Sequence, residues 1–228
     1  MSHICLLDPA LPRKDGNPLD NLGDCVISEA IIKELEDLRL PQIHRLPTKR
    51  KLKASELQLV READIVLLGG SNLLSSNLRR YNQWKISASI RNLIWPPLTN
   101  VICCGTGWWQ YQGAPTVRTR MFYSRVLSPN KLHSVRDQYS VTKLRQCGIE
   151  NVVNTSCPTL WSLHGRETNH RQGKNIVFTL TDYKKDAARD NALISLLGNV
   201  ASGEMAFFPQ GLKDEKYLRS LASYKAHK

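Results

Sequence analysis

No stretch of the 228-residue chain approaches about 18 consecutive apolar residues, and no basic segment followed by a long apolar one opens the sequence. Neither membrane spanning nor secretion is indicated, so the cytoplasm is the expected compartment, with attachment to the inner face of the membrane left open. Metal-ligand spacings are missing too. Cys5, Cys25, Cys103, Cys104, Cys147 and Cys157 form no CxxC pair, and the six histidines form no HxH or HExxH motif. The cysteines fall mostly in apolar segments and read as reduced core residues, and no metal site is expected. The chain also lacks an RRM, KH, zinc-knuckle or helix-turn-helix signature, which argues against nucleic-acid recognition.

Positive charge is abundant. A formal net charge of +12 favours an anionic partner through long-range steering and charge-assisted contacts. Lys49, Arg50, Lys51 and Lys53 form a dense basic run, which reads as a solvated face unless a membrane surface or nucleic acid covers it. Trp108, Trp109 and Tyr111, followed by Arg118, Arg120 and Arg125, allow a stacking reading with a phosphate track. With 41% hydrophobic residues, the chain can bury one substantial core and part of a second.

Short β-like runs alternate with helical patterns, which predicts an α/β fold with a doubly wound parallel sheet. Strands are expected at 3–7, 64–68, 100–104, 132–135 and 151–154, and helices at 25–38, 55–62, 77–94, 115–127 and 137–146. Residues 1–162 then form one domain, the polar stretch 163–174 is a linker, and 175–228 begin a second α/β unit. That second unit has strands near 175–181 and 205–209 and helices at 184–197 and 213–224. Roughly 55 residues is marginal for a self-supporting α/β domain, so this unit reads as incomplete.

Ligands of open parallel sheets bind beyond the carboxyl ends of the strands, which directs attention to the loops. The first loop ends in Asn21-Leu22-Gly23-Asp24, where Asp24 is placed to cap a helix whose apolar positions are Ile27, Ile31, Leu35 and Leu38. The second carries Gly69, Gly70, Ser71 and Asn72, the third Gly105-Thr106-Gly107, and the fourth Arg136-Asp137. Two glycines let a backbone approach a ligand, Ser71 and Asn72 offer hydrogen bonds, and an arginine beside an aspartate either clamps an anion or fixes its turn.

In this order and spacing, Asn21-x-Gly23-Asp24, Ala63-Asp64-Ile-Val-Leu-Leu-Gly69-Gly70, Ser134-Val-Arg136-Asp137-x-x-Ser140 and Gly148-Ile149-x-Asn151-Val152 resemble the polysaccharide pyruvyl transferases. The resemblance covers residues 1 to about 160, and 175–211, ending in Phe207-Phe208-Pro209-Gln210-Gly211, is similar to the opening of that family's second domain. It implies two Rossmann-like domains of glycosyltransferase-B type and a ketal-forming transfer of pyruvate from phosphoenolpyruvate to a sugar of a cell-surface or exopolysaccharide. The implied partners are phosphoenolpyruvate, a saccharide acceptor and membrane-bound polysaccharide assembly, with no cofactor. An oligomer is compatible with the sequence.

The implied catalytic carboxylates are Asp24 and Asp137, with substrate contacts from Asn21, Gly23, Gly69, Gly70, Ser71, Asn72, Gly105, Arg136 and Gln210. Three departures stand out. Ser71 occupies the third glycine position, Cys157 replaces an aspartate before Pro158, and Gln210 stands where the family often has histidine. The family's arginine and histidine motif (R-x-H) of the donor side does not occur in residues 1–228, so full transfer is not expected of these residues alone. Two other readings are a catalytically inactive glycan- or partner-binding remnant and a basic nucleic-acid-binding protein.

Overall fold

The computed structural model describes residues 3–12, 21–38, 42–86, 89–165 and 173–226. The chain divides into two compact units, Met1–Leu19 with Asp24–His164, and Asp20–Gly23 with Gly165–Lys228. The first unit ends at His164, and residues 166–172 of the expected linker lie outside the described residues.

The first unit is built on four parallel strands, β1 (His3–Asp8), β2 (Gln42–Pro47), β3 (Ile65–Gly69) and β4 (Val101–Cys104), in the order β2-β1-β3-β4. Successive side chains of a strand face opposite ways, so β1 supplies both cores. Ile4 and Leu6 pack with Ile27, Ile31 and Leu35 of α1 (Gly23–Asp37). On the opposite face Cys5 and Leu7 join Val60 of α2 (Ala54–Glu62) and Phe122, Tyr123 and Val126 of α4 (Val117–Val126). Each such aliphatic side chain contributes roughly 1.5–3 kcal/mol by burial. Coverage of both faces is what makes Ile4 to Leu7 an uninterrupted apolar run.

Past β4, a parallel pair continues along the edge, β5 (His133–Val135) with β6 (Val152–Asn154), joined by α5 (Gln138–Arg145). A Thr106–Val135 bridge and a Gly105 N–H donating to Ser134 Oγ at 3.0 Å tie this pair to the end of β4. His133 is fully buried there, its Nδ1 accepting the Cys103 N–H at 3.1 Å while Nε2–H donates to the Ser128 carbonyl at 2.9 Å. Both nitrogens are committed to the neutral ring, and burial holds its pKa below the ordinary 6.5. Its stabilising contribution is thus complete above about pH 6.5 and is lost as pH falls toward the depressed folded value. Urea unfolding measured from pH 7.5 down to pH 5 is expected to show this loss, and the His133→Gln protein should be less stable with a shallower decline over the same window.

In the first unit the structure departs from the expected elements in one helix and one strand. The helix expected at 77–94 is reduced to α3 (Ile90–Ile94). Asn77 turns its own side chain onto the N–H groups of Arg79 and Arg80 at 3.1 and 3.3 Å, and Lys85 N–H donates to the Thr48 carbonyl at 2.8 Å. Local side-chain bonding thus competes successfully with the helix. Strand β2 has no counterpart among the expected strands, because the edge sequence Gln42-Ile-His-Arg-Leu-Pro47 lacks a clean apolar alternation.

In the second unit, β7 (Ile176–Phe178) pairs in parallel with β8 (Met205–Phe207), beside α6 (Ala187–Val200), α7 (Asp214–Ser220) and α8 (Ala222–Ala226). The single helix expected at 213–224 breaks at Leu221, which is extended (φ −78°, ψ 136°) and drops its side chain into a core of Phe178, Leu180, Ile194, Tyr217 and Leu218. Asp214 is 2% exposed and accepts three backbone N–H groups, from Asp182 at 2.9 Å, Gln210 at 3.0 Å and Gly211 at 2.7 Å. It pins the loops that follow both strands. Asp214→Ala is expected to destabilise this unit by about 2 kcal/mol or more, because three donors lose a charged acceptor together. Hydrogen exchange at 176–221 should accelerate in that variant while β1 to β4 keep their protection.

Candidate functional site

Strand order reverses direction between β1 and β3, so the connections leaving these two neighbours diverge at the carboxyl edge, the place where open parallel sheets bind ligands. Asp24 enters it from the first turn of α1. Its carboxylate does not close a helix cap as the sequence suggests. Lys49 Nζ donates to Asp24 Oδ2, and Ser71 Oγ donates to Oδ1 at 2.7 Å. Asp24 is 2% exposed, and its negative charge still complements the positive end of the helix.

Ser71 has a φ of +54°, a conformation that costs a non-glycine residue about 1–2 kcal/mol. Serine in place of glycine here places a hydroxyl on Asp24. The Ser71 carbonyl in turn accepts the Gly107 N–H at 2.7 Å. A Cβ on Gly107 would lie 2.5 Å from Asn72 Oδ1 and 2.6 Å from Arg136 Nε, so only glycine lets these two side chains close over the backbone. Asn72 Oδ1 is buried and has no hydrogen-bond partner among the described residues. Arg136 Nε lies 3.5 Å from Asp137 Oδ2, while Asp137 Oδ1 caps α5 by accepting the Ser140 N–H at 2.7 Å.

One continuous row results, Asp24, Ser71, Asn72, Gly107, Arg136 and Asp137. The remaining sequence-derived residues take different places. Gly69, Gly70 and Gly105 yield their missing side-chain space to the fold, where a Cβ would come within 2.8 Å of Leu6, 2.0 Å of Ile27 and 2.3 Å of Pro158 respectively. Asn21, Gly23 and Gln210 belong to the second unit. There Asn21 Oδ1 accepts the Gly23 N–H at 3.0 Å, Leu22 N–H donates to the Gln210 carbonyl at 3.1 Å, and Asn21 bridges to Gly211.

Lys49, Asp8, Arg45 and Ser28 escaped the sequence reading. Asp8, fully buried at the end of β1, accepts from Ser28 Oγ at 2.8 Å, Arg45 Nε at 2.7 Å and Ala10 N–H at 2.8 Å. An aspartate ending an apolar strand was the available signal for it. Lys49 was visible only as part of a basic run. That run is not a uniform solvated face, since Arg50 also pairs with Glu56 at 2.7 Å. Trp108 is 3% exposed and stacks edge-on with Tyr123, which places it in the core. Burial pushes the thiols of Cys103 and Cys104, at the end of β4, up to about 12, so neither offers a thiolate near neutral pH.

No individual curated protein matches the chain. The family model described as polysaccharide pyruvyl transferase matches residues 21–224, which takes in α1, the Asp24 row and nearly all of the second unit. A parallel α/β sheet with an acid, a hydroxyl, an amide and an arginine along its carboxyl edge is the setting in which that match falls, and the chain belongs to the polysaccharide pyruvyl transferase family.

Proposed function

We propose that this chain takes part in the transfer of pyruvate, as a ketal, from phosphoenolpyruvate to two hydroxyls of a saccharide, within a fold of glycosyltransferase-B type. The observation that carries this reading is the row from Asp24 to Asp137 in a chain of this family. Phosphoenolpyruvate bears a phosphate and a carboxylate, and a guanidinium contributes on the order of 1.5–3 kcal/mol to such a contact. Arg136, 31% exposed, is the cation of the row with room for that anion.

The chemistry divides accordingly. Protonation of the methylene carbon leaves an oxocarbenium-like centre at the carbon bearing the phosphate. A sugar hydroxyl adds there as its proton passes to a base, and a second hydroxyl replaces phosphate, which departs with its bridging oxygen. Asp24 serves the acceptor hydroxyls, because a phosphate beside its carboxylate would be repelled. Asp137 stands with Arg136 on the donor side, Ser71 and Asn72 bind acceptor hydroxyls, and Asn21 and Gln210 are substrate contacts of the second unit. Gly23, Gly69, Gly70 and Gly105 shape the backbone around them. The location that suits this role is the cytoplasm, at the inner face of the membrane where polysaccharides are assembled.

Mixing the protein with phosphoenolpyruvate and candidate saccharides tests the proposal through phosphate release. Acceptor-dependent release is the expected result once a longer chain or a second subunit supplies the donor-side arginine and histidine motif that residues 1–228 lack. Saccharide binding by calorimetry without release, while a full-length relative is active in parallel, would instead identify a glycan-binding member without turnover.

A further inference from the structure

Beyond the end of β2, a pocket of about 190 Å³ opens between the loop after Pro47, α2 and residues 84–86 and 92–98. It is separate from the Asp24 row. Leu57, Trp84, Ile86 and Leu98 give it apolar walls, and the last three are 3%, 6% and 4% exposed. A dry aliphatic cavity of about 150 Å³ already accepts benzene, so this one has room for a group of that size. Its walls are tied together, because Lys85 N–H donates to the Thr48 carbonyl at 2.8 Å and Arg50 is held by Glu56.

The charged residues of the lining are Arg50, Lys51 and Lys85. Arg50 is neutralised by Glu56, whereas no carboxylate among the described residues pairs with Lys51 or Lys85. Two free ammonium groups beside an apolar chamber match a dianion attached to an apolar body better than either part alone. We propose that this pocket binds a small amphiphilic phosphate monoester, its benzene-sized apolar group against Trp84 and Leu57 and its phosphate at Lys51 and Lys85. The assignment is carried by the pocket and does not depend on the transfer reaction.

Titration calorimetry of the full chain with phenyl phosphate, inorganic phosphate and phenol tests it. Phenyl phosphate is expected to bind at least about tenfold more tightly than either half-ligand. The Lys51→Ala/Lys85→Ala double variant should lose about tenfold of that affinity, since both lysines are exposed and charge-assisted contacts dominate. A Lys184→Ala/Lys185→Ala control removes two exposed positive charges from the second unit and should leave the affinity unchanged. Inorganic phosphate binding as tightly as phenyl phosphate would overturn the proposal by reducing it to general attraction to a basic protein. Phenol binding as tightly, an equal loss in the control variant, or no binding of phenyl phosphate would overturn it as well.

Discussion

Asp24→Asn is expected to slow pyruvyl transfer by about 100- to 10,000-fold, the range over which a positioned acid or base acts. The substitution keeps the shape of the side chain and an oxygen for Ser71 Oγ, which now lies 2.7 Å away, but it removes the carboxylate proposed to accept the proton. It also leaves Lys49 without its carboxylate, which costs about 1–3 kcal/mol of stability. Lys49→Met separates the two effects, because it disturbs the same ion pair while retaining Asp24. Initial rates of phosphate release, taken well below each variant's melting temperature, should fall far more in Asp24→Asn than its stability loss explains. A rate within tenfold of the parent would remove Asp24 from the chemistry.

Gly70→Ala is the substitution with the largest expected structural cost. Gly70 sits at φ +46°, where a side chain is strained, and its new Cβ would lie 2.0 Å from Ile27 Cγ2. Left-handed strain of about 1–2 kcal/mol and an overpacking penalty of about 1–3 kcal/mol together predict a loss of roughly 2–5 kcal/mol. The two parts are separable by a double-mutant cycle in urea. In an Ile27→Ala background the clash disappears, and Gly70→Ala should then cost only the backbone strain. An unchanged cost would mean that Ile27 is not what forbids a side chain at this position. The close approach of α1 to the β3 loop also brings Asp24 to Ser71, so a variant that pushes Ile27 away should weaken the site along with the fold.

The strands β1, β3 and β4 were legible because burial on both faces makes each an apolar run ended by glycine or a polar turn. Helix α1 was legible from Ile27, Ile31 and Leu35 at four-residue spacing. Strand β2 was not, since an edge strand with His44 and Arg45 carries no alternation to read. The helix expected at 77–94 failed because the competing partners, Thr48 for Lys85 and the side chain of Asn77 for its own turn, lie in tertiary or local bonding that periodicity does not register.

The site divides in the same way. Residues clustered after a strand, such as Ser71-Asn72 and Arg136-Asp137, announce themselves because loop position and residue type coincide. Lys49 does not, since its role depends on β2 lying beside β1, a parallel pairing that carries the loop after β2 to the first turn of α1. The glycines were read as places where a ligand approaches the backbone, whereas the space beside them is taken by side chains of the fold. Gly70 admits Ile27 and Gly105 admits Pro158, contacts made by residues 43 and 53 positions away in the chain.

The most direct measurement follows phosphoenolpyruvate labelled with carbon-13 at the carbon that bears phosphate, incubated with a saccharide acceptor and observed by NMR. With the donor-side motif supplied by a longer chain or a second subunit, the account predicts a new quaternary ketal resonance growing in step with released phosphate in the parent protein, and its near-complete loss in Asp24→Asn. Phosphate release without a ketal signal, or equal ketal formation in the two proteins, would contradict it.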